Sequence, residues 1–228
     1  MLNSVTVLYE DEWLIAVDKP GGVVVHKTAG APPGKPLLQQ VRDHIGMHVF
    51  PVHRLDRGTS GVMLFGKSKE AASEAGKCFM NREVQKTYQA LVRGWTDEAG
   101  LVDYPLTAGE KDERMREAQT HYTRLQTFEL AQPIGRYDTA RYSLLEVRPH
   151  TGRWRQIRRH FAHLRHPVIG DVQHGDRHHN HFFRGEWGIM TLCLSAVKLA
   201  LIHPFTEEAL IIQAQPGAAI REALERLR

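Results

Sequence analysis

Apolar and polar positions alternate or cluster in short stretches along the chain, and the period of each stretch predicts its element. VTVLY (5–9) and WLIAVD (13–18) flank the polar pair Asp11-Glu12, which predicts a β-hairpin. Pro20-Gly21-Gly22 then breaks the chain, and VVVH (23–26) predicts a short strand. TAGAPPGKP (28–36) predicts a loop, LLQQVRDHI (37–45) a short helix and GVMLFGK (61–67) a strand. A helix follows over 68–82 with Ser68 as N-cap, then a strand over 86–94. TAGEKDERMREAQ (107–119) mixes charges with few core positions and predicts a mobile excursion or a short helix. Strands are predicted near 121–129, 141–147, 192–202 and 209–214, with helices over 153–164 and about 217–227. No internal repeat appears. Strands and helices mix without a strict βαβ rhythm. That predicts an α+β fold: a large mixed, mainly antiparallel β-sheet flanked by helices and loops.

Length and composition narrow this picture. With 228 residues and 42% hydrophobic content, the chain supports one good core, or a core with a small appendage. The net charge of +4 is modest, but its distribution is uneven. Between 141 and 166 stand arginines 141, 148, 153, 155, 158, 159 and 165, against the single acid Glu146. Such a field suits a polyanion such as nucleic acid, and a solvated basic face accounts for it equally well. Cys78 and Cys193 lie far apart in apolar surroundings, which points to packing in a reducing compartment without disulfide or zinc spacing. The start shows no basic segment followed by an apolar core, and no apolar run nears about 18 residues. Neither a signal peptide nor a membrane span is expected, and the expected location is the cytoplasm.

One stretch mimics a nucleotide site. Gly61, Gly66, Lys67 and Ser68 fit G-x-x-x-x-G-K-[ST]. A phosphate-cradling loop follows a buried strand and opens a helix, so that backbone N–H groups curl around the anion. Here Val62, Met63, Leu64 and Phe65 lie between the glycines, and four large apolar side chains belong in a strand. The polar, turn-rich HRLDRGTS (53–60) comes before them, so the order is loop then strand. The candidate chemistry moves into that loop. Asp56 stands between Arg54 and Arg57 and is followed by Gly58, Thr59, Ser60 and Gly61, small residues that permit close approach by a ligand. Flanking cations favour an ionised carboxylate, and an ionised Asp in a tight loop is a candidate nucleophile. An Asp that merely caps the turn, beside solvated arginines, fits the same residues.

Several separated stretches together resemble the RluA family of pseudouridine synthases. They are DKPGGVVVH (18–26), HRLD-x-x-TSG (53–61), KTY (86–88), TGRWRQIRRH (151–160), HPVIGD (166–171) and HPFT (203–206), in the family's order. DEWLIAVDKP, VRGW (92–95), YPL (104–106) and HLRHPVIGD followed by HGD are similar to the tRNA pseudouridine-65 synthase branch. The resemblance implies a pseudouridine synthase fold with a central active-site cleft, in a single catalytic domain over 1–228. No N-terminal S4 domain is expected, because the first strand begins at residue 5.

The implied reaction breaks the N1–C1′ bond of a uridine in RNA, turns the uracil and joins C5 to C1′. No metal and no organic cofactor take part. The implied partner is tRNA, with 23S ribosomal RNA as the alternative substrate, no membrane, and a monomeric enzyme. An RNA-binding or RNA-folding protein with dispensable catalysis is the competing reading from another class.

The resemblance assigns Asp56 as the catalytic aspartate and leaves open whether it attacks C1′, attacks the base or promotes a glycal. It assigns Tyr88 to stacking on the base and to proton removal from C5, where spacing alone would make Tyr88 a strand aromatic in the core. It makes Arg158 the partner of the aspartate. On a helix, Trp154, Ile157, Phe161 and Leu164 share one apolar face, and only Arg158 of the nearby arginines borders it. A half-buried arginine calls for a bidentate carboxylate partner. Arg155 and Arg159 are better placed for phosphates, and Arg153 and Arg57 join them as candidate RNA contacts. Arg54 matches an arginine that fills the space vacated by the extruded base, and Leu194 is expected as pocket wall.

The chain departs from the family at Ser195, where a histidine is usual, and at Arg155, in place of a histidine or similar residue. HGDRHHNH (174–181) offers His174, His178, His179, His181 and Asp176, but in no standard zinc spacing. A histidine-rich surface loop is expected there.

Overall fold

The computed structural model describes residues 5–27, 33–109 and 112–228. In chain order the first half holds β1 (Val7–Glu10), β2 (Leu14–Lys19), α1 (Leu37–Ile45), β3 (Phe50–Pro51), β4 (Ser60–Gly66), α2 (Lys69–Met80), β5 (Gln85–Arg93), β6 (Ala99–Asp103) and β7 (Leu106–Thr107). Then come β8 (Met115–Arg116), β9 (Gln119–Leu130), β10 (Ala140–Pro149), α3 (Gln156–His163), α4 (Arg177–Gly185), β11 (Leu194–Ile202), β12 (Ala209–Gln213) and α5 (Ala218–Leu227). The class is α+β with mainly antiparallel pairing, as the irregular alternation predicts. The chain forms two compact units, Met1–Gln85 with Ala196–Gln215, and Lys86–Ser195 with Pro216–Arg228.

In the first unit β2 pairs antiparallel with β1 and with β4, in register from Leu14↔Gly66 to Lys19↔Gly61. β3 adds to β4, and β12 to the distal part of β11. Leu14, Ala16, Val62, Leu64, Leu199 and Ile212 form the core, closed by Ala71 and Ala75 of α2. Ser68 caps α2, its Oγ accepting from the Ala71 N–H at 3.0 Å. Lys67 donates to the Asp11 carbonyl at 2.5 Å and pairs with Glu10 at 2.7 Å. Val62 to Phe65 are wholly buried in β4. The apparent phosphate loop is therefore a core strand whose lysine and serine hold neighbouring elements.

Gly61 opens β4 at φ +105°, and a Cβ there would stand 2.1 Å from the Ala196 carbonyl oxygen. Both the dihedral and the backbone contact exclude a side chain. Gly61→Ala is expected to lower unfolding free energy by at least about 2 kcal/mol in urea titration. A change below about 0.5 kcal/mol, the range of neutral surface substitutions, would contradict that close approach.

In the second unit β10 pairs antiparallel with β5 and β9, and β9 with β6. One core cluster joins Ala90, Val92, Leu145 and Val147 to Ile157 and Phe161 of α3. A second joins Tyr142, Leu144 and Ile169 to Phe183 of α4 and Ile220 of α5.

Four expectations are corrected. Residues 23–26 form no strand; the Val24 and Val25 carbonyls accept the Leu37 and Leu38 N–H groups, so the segment caps α1 instead of joining a ladder. The described part of 107–119 holds no helix; β7 and β8 pair as a small separate hairpin, with 110–111 outside the described residues. The expected 28–36 loop falls partly on 28–32, which also lie outside them. The histidine-rich stretch is no loop beyond Asp176. It is α4, because Asp176 Oδ1 accepts from His178 N at 2.8 Å and caps the first turn. Finally, α3 begins at Gln156 and not at 153, because Arg155 sits in the left-handed region at φ 51°.

Candidate active site and RNA contacts

Asp56 lies half-buried in the loop between β3 and β4. The loop closes on itself through its backbone: the Thr59 N–H donates to the Asp56 carbonyl at 3.1 Å. Leu55, Thr59 and Ser60 are buried and anchor the turn on both sides, while Arg54 and Arg57 are exposed. The Arg57 carbonyl is held from below. It accepts the Gly22 N–H at 2.8 Å and the Lys19 Nζ at 3.1 Å, and Lys19 also donates to the Pro20 carbonyl at 2.9 Å. The K-P-G-G segment and the Asp56 loop are thereby one hydrogen-bonded structure.

Lys19 was not among the expected site residues, yet it is wholly buried at the end of β2. Burial pushes its ammonium down to about 7, against the upward pull of Asp56 and Asp18. In the unfolded chain it titrates near the ordinary lysine value of 10.5. The penalty for burying the charge is complete below pH 7 and disappears as pH rises toward the unfolded value. Lys19 thus makes stability increase with pH across this window, by up to about 1.4 kcal/mol per pH unit. The stability difference between wild type and Lys19→Met, from urea unfolding at pH 7 and pH 9, is expected to shift in favour of the wild type at the higher pH. A difference independent of pH would contradict the buried, depressed lysine.

The other candidates stand in the second unit. Gln156 organises the T-G-R turn before α3. Its Oε1 accepts from Thr151 Oγ1 at 2.6 Å and from Arg153 N at 2.9 Å, and its Nε2 donates to the Gln119 carbonyl and Thr120 Oγ1, both at 2.9 Å. His160, one helical turn on, is wholly buried between Thr120 Oγ1 and the Tyr104 carbonyl, and burial lowers its basicity. These bonds fix α3 against β9.

Arg158 is nearly buried on α3 and forms a two-pronged ion pair, Nε to Asp171 Oδ2 and Nη2 to Asp171 Oδ1, each at 2.7 Å. The expected bidentate carboxylate is thus supplied within this unit by Asp171. Burial pulls the Asp171 carboxyl upward. The Arg158 bonds and the N–H groups of His174 and Gln173 outweigh it and hold it below its ordinary range.

Tyr88 is half-buried on β5 opposite Val147, packed against the cluster that contains Ile157, Phe161 and Leu194. Leu194 is buried in that cluster. The structure therefore brings Tyr88, Leu194 and the α3 face beside Arg158 together. Ser195 is wholly buried, and its Oγ accepts from the Gly217 N–H at 3.1 Å, which explains a small hydroxyl at the position.

Arg153, Arg155 and Arg159 are half-buried around the exposed end of α3. Arg153 Nε donates to the Glu117 carbonyl at 2.9 Å. Arg159 grips Thr107 through its carbonyl at 3.0 Å and its Oγ1 at 2.9 Å, tying β7 to the helix. The Arg155 guanidinium lies 4.3 Å from the Trp154 ring centre. Its buried Nε has no hydrogen-bond partner among the described residues.

The histidines of 174–181 disperse. His174 is half-buried near Arg158, His178 and His181 face outward on α4, and His179 is buried with Nδ1 2.9 Å from the Tyr142 hydroxyl. Among the described residues no three His, Cys, Asp or Glu side chains gather as a metal-ion cluster. Cys78 and Cys193 are free thiols. No helix among the described residues is long and apolar enough to cross a membrane.

Comparison with known proteins gives a consistent result. Residues 13–163 match the family model described as RNA pseudouridylate synthase. The chain is 44% identical to tRNA pseudouridine synthase C of Vibrio cholerae, over 91% of this chain and 89% of that protein. It is 46% identical to tRNA pseudouridine synthase C of Salmonella typhi, over 91% and 84%. In fold it is similar to human RNA pseudouridylate synthase domain containing 1, with TM-score 0.77 at 22% identity over 94% of this chain and 84% of that one. Sequence match and fold agree over the segments that hold Asp56, Tyr88 and Arg158, and the chain belongs to the RNA pseudouridylate synthase family.

Proposed function

We propose that this protein converts one uridine of tRNA, of the position-65 type, into pseudouridine. The observation that carries the proposal is the likeness to the tRNA enzymes over nine-tenths of the chain. The reaction keeps every atom of the nucleotide: N1–C1′ breaks, the uracil turns, C5–C1′ forms, and the proton on C5 leaves as N1 gains one. No group is added or oxidised, so the reading needs no metal and no organic cofactor. The 228 residues act as one catalytic domain, as a monomer in the cytoplasm.

Asp56 is the catalytic carboxylate. Each route available to it, at C1′, at the base or through a glycal, uses the ionised form. Tyr88 stacks on the extruded base and serves proton removal from C5. Arg158 is the buried cation of the reaction. Leu194 walls the base pocket. Arg54 fills the gap left in the RNA, since extrusion costs a few kcal/mol of stacking that an inserted side chain offsets. Arg57, Arg153, Arg155 and Arg159 contact phosphates and position the RNA without reading its sequence.

The test is chemical mapping of pseudouridine in RNA from a strain lacking the gene, with and without the restored gene. Loss and recovery at a single tRNA uridine is expected. Loss confined to ribosomal RNA would overturn the tRNA assignment. Full restoration of an accompanying growth defect by Asp56→Ala would favour an RNA-folding role instead.

A further inference from the structure

A cleft of about 500 Å³ lies in the second unit, between α4 and the turn that joins β9 to β10. Ile134 and Phe182 give it an apolar floor, and Arg177, His178 and His181 a polar wall; Glu186 is the one acid of its described lining. The helical period makes this wall. At 3.6 residues per turn, burying His179 and Phe183 against Tyr142 turns 177, 178, 181 and 182 to other sides of the helix. The turn closes through the Ile134 N–H, which donates to the Tyr137 carbonyl at 3.2 Å. Gly135 follows at φ +70° and meets α4, since a Cβ there would lie 3.8 Å from Cγ of His178. Phe182 is seated from behind by Trp187, with ring centres 5.1 Å apart. The volume lies within the range of sites that hold one small ligand, roughly 300–1,000 Å³.

The cations here lack acid partners. Arg93, Arg124, Arg141 and Arg148 of the same unit pair with Asp176, Glu98, Glu129 and Glu146. Among the described residues neither Arg177 nor Arg136, which follows Gly135, pairs with a carboxylate. Arg136 lies 5.0 Å from the ring centre of the exposed Tyr137 and donates to its hydroxyl at 2.8 Å. His178 and His181 each carry a ring N–H donor in either protonation state. Unpaired cations above an apolar floor suit a ligand with an anionic group and a flat aromatic body, which is the chemistry of a nucleotide. The cleft is also remote from the Tyr88 pocket. Tyr88 pairs with Val147 near one end of β10, and the turn lies beyond Ala140 at the other. The intervening strand spans about 20 Å.

We propose that this cleft is a second RNA contact, which takes one unpaired nucleotide of the tRNA away from the target uridine. Its phosphate meets Arg177 and His181, and its base lies against Phe182 and Ile134. A base offers its face to an apolar floor only where it is unpaired and unstacked, so a loop or a single-stranded end fits and a duplex does not. The proposal rests on the tRNA reading above. Its test compares wild type with Arg177→Gln/His181→Gln, which removes the phosphate contacts, and with Phe182→Leu, which keeps the floor apolar and removes the ring. Affinity is measured across a salt series for an unmodified tRNA transcript and for a short hairpin carrying the same uridine. Single-turnover rates at saturating RNA and melting temperatures accompany it.

Arg177→Gln/His181→Gln is expected to bind the tRNA about tenfold more weakly, with a salt slope flatter by about one. Phe182→Leu is expected to lose about fivefold, the low end for one stacked base. The hairpin is expected to bind all three proteins alike, and saturated rates to agree within about twofold, because the contact is distant from the chemistry. Wild-type tRNA affinity in both variants would overturn the site. Equal losses on tRNA and hairpin would overturn its distance from the target. A loss for Arg177→Gln/His181→Gln beside an unchanged Phe182→Leu would overturn the stacked base. If Phe182→Leu does not fold, the double variant decides alone, since Arg177 and His181 are exposed. A wild type that binds tRNA but turns over none would overturn the assigned reaction and not this contact.

Discussion

Asp56→Asn is expected to abolish pseudouridine formation, with a loss of roughly 10⁴-fold or more in single-turnover rate on tRNA. The amide matches the carboxylate in size but cannot carry its negative charge, and every route assigned to Asp56 spends that charge. The backbone of the turn has fastenings of its own. The turn is closed by the backbone bond from Thr59 N to the Asp56 carbonyl, and the Arg57 carbonyl is held by Gly22 and Lys19. Affinity for tRNA is expected to stay within about threefold, since most RNA affinity comes from phosphate contacts. Filter binding and urea unfolding of the same preparation check both statements. A variant rate within tenfold of wild type would remove Asp56 from the chemistry.

Arg158→Met is expected to injure both activity and stability, which separates it from Asp56→Asn. Removing the guanidinium strands the Asp171 carboxylate in a site where its side chain is fully buried. Breaking a buried pair by deleting one partner costs about 3–5 kcal/mol, because the remaining charge is left uncompensated. Loss of an electrostatic group from a reaction site costs a further 10²–10³-fold in rate, approximately. Arg158→Lys is expected to recover part of the stability and little of the rate, because an ammonium cannot reproduce the two parallel bonds to Oδ1 and Oδ2. Urea midpoints and single-turnover rates across the three proteins check this ordering. An Arg158→Met protein as stable as wild type would contradict the buried pair.

Much of this site was legible in the residues themselves. Four consecutive apolar side chains from Val62 to Phe65 ruled out a phosphate loop, and they form the buried centre of β4. The helical face of Ile157 and Phe161 singled out Arg158 as the inward arginine, and it is buried and pairs with the Asp171 carboxylate.

The features that local sequence does not encode depend on tertiary partners. Asp171 follows Gly170 in a short loop, and nothing local announces that a helix 13 residues earlier supplies its guanidinium. Lys19 reads as the polar end of a strand until Arg57, distant in sequence, supplies the carbonyl that receives it. α4 has only Phe182 and Phe183 as large apolar residues, too few to set a helical period. Its usable signal was Asp176 ahead of the histidines, an N-cap that ligand-like residues obscured. The 23–26 segment has the β-branched composition of a strand. Its carbonyls are taken by α1 instead, a competition that composition does not encode.

Pseudouridine formation in tRNA through Asp56 is open to direct measurement. The most direct measurement is release of tritium to water from a tRNA transcript labelled at C5 of uridine, with wild type and Asp56→Asn side by side. Joining C5 to C1′ expels the hydrogen on C5, so each turnover frees one label. The account predicts release by the wild type, saturating near one equivalent per tRNA, and none by Asp56→Asn. Equal release by both proteins, or none by the wild type from any tRNA, would contradict it.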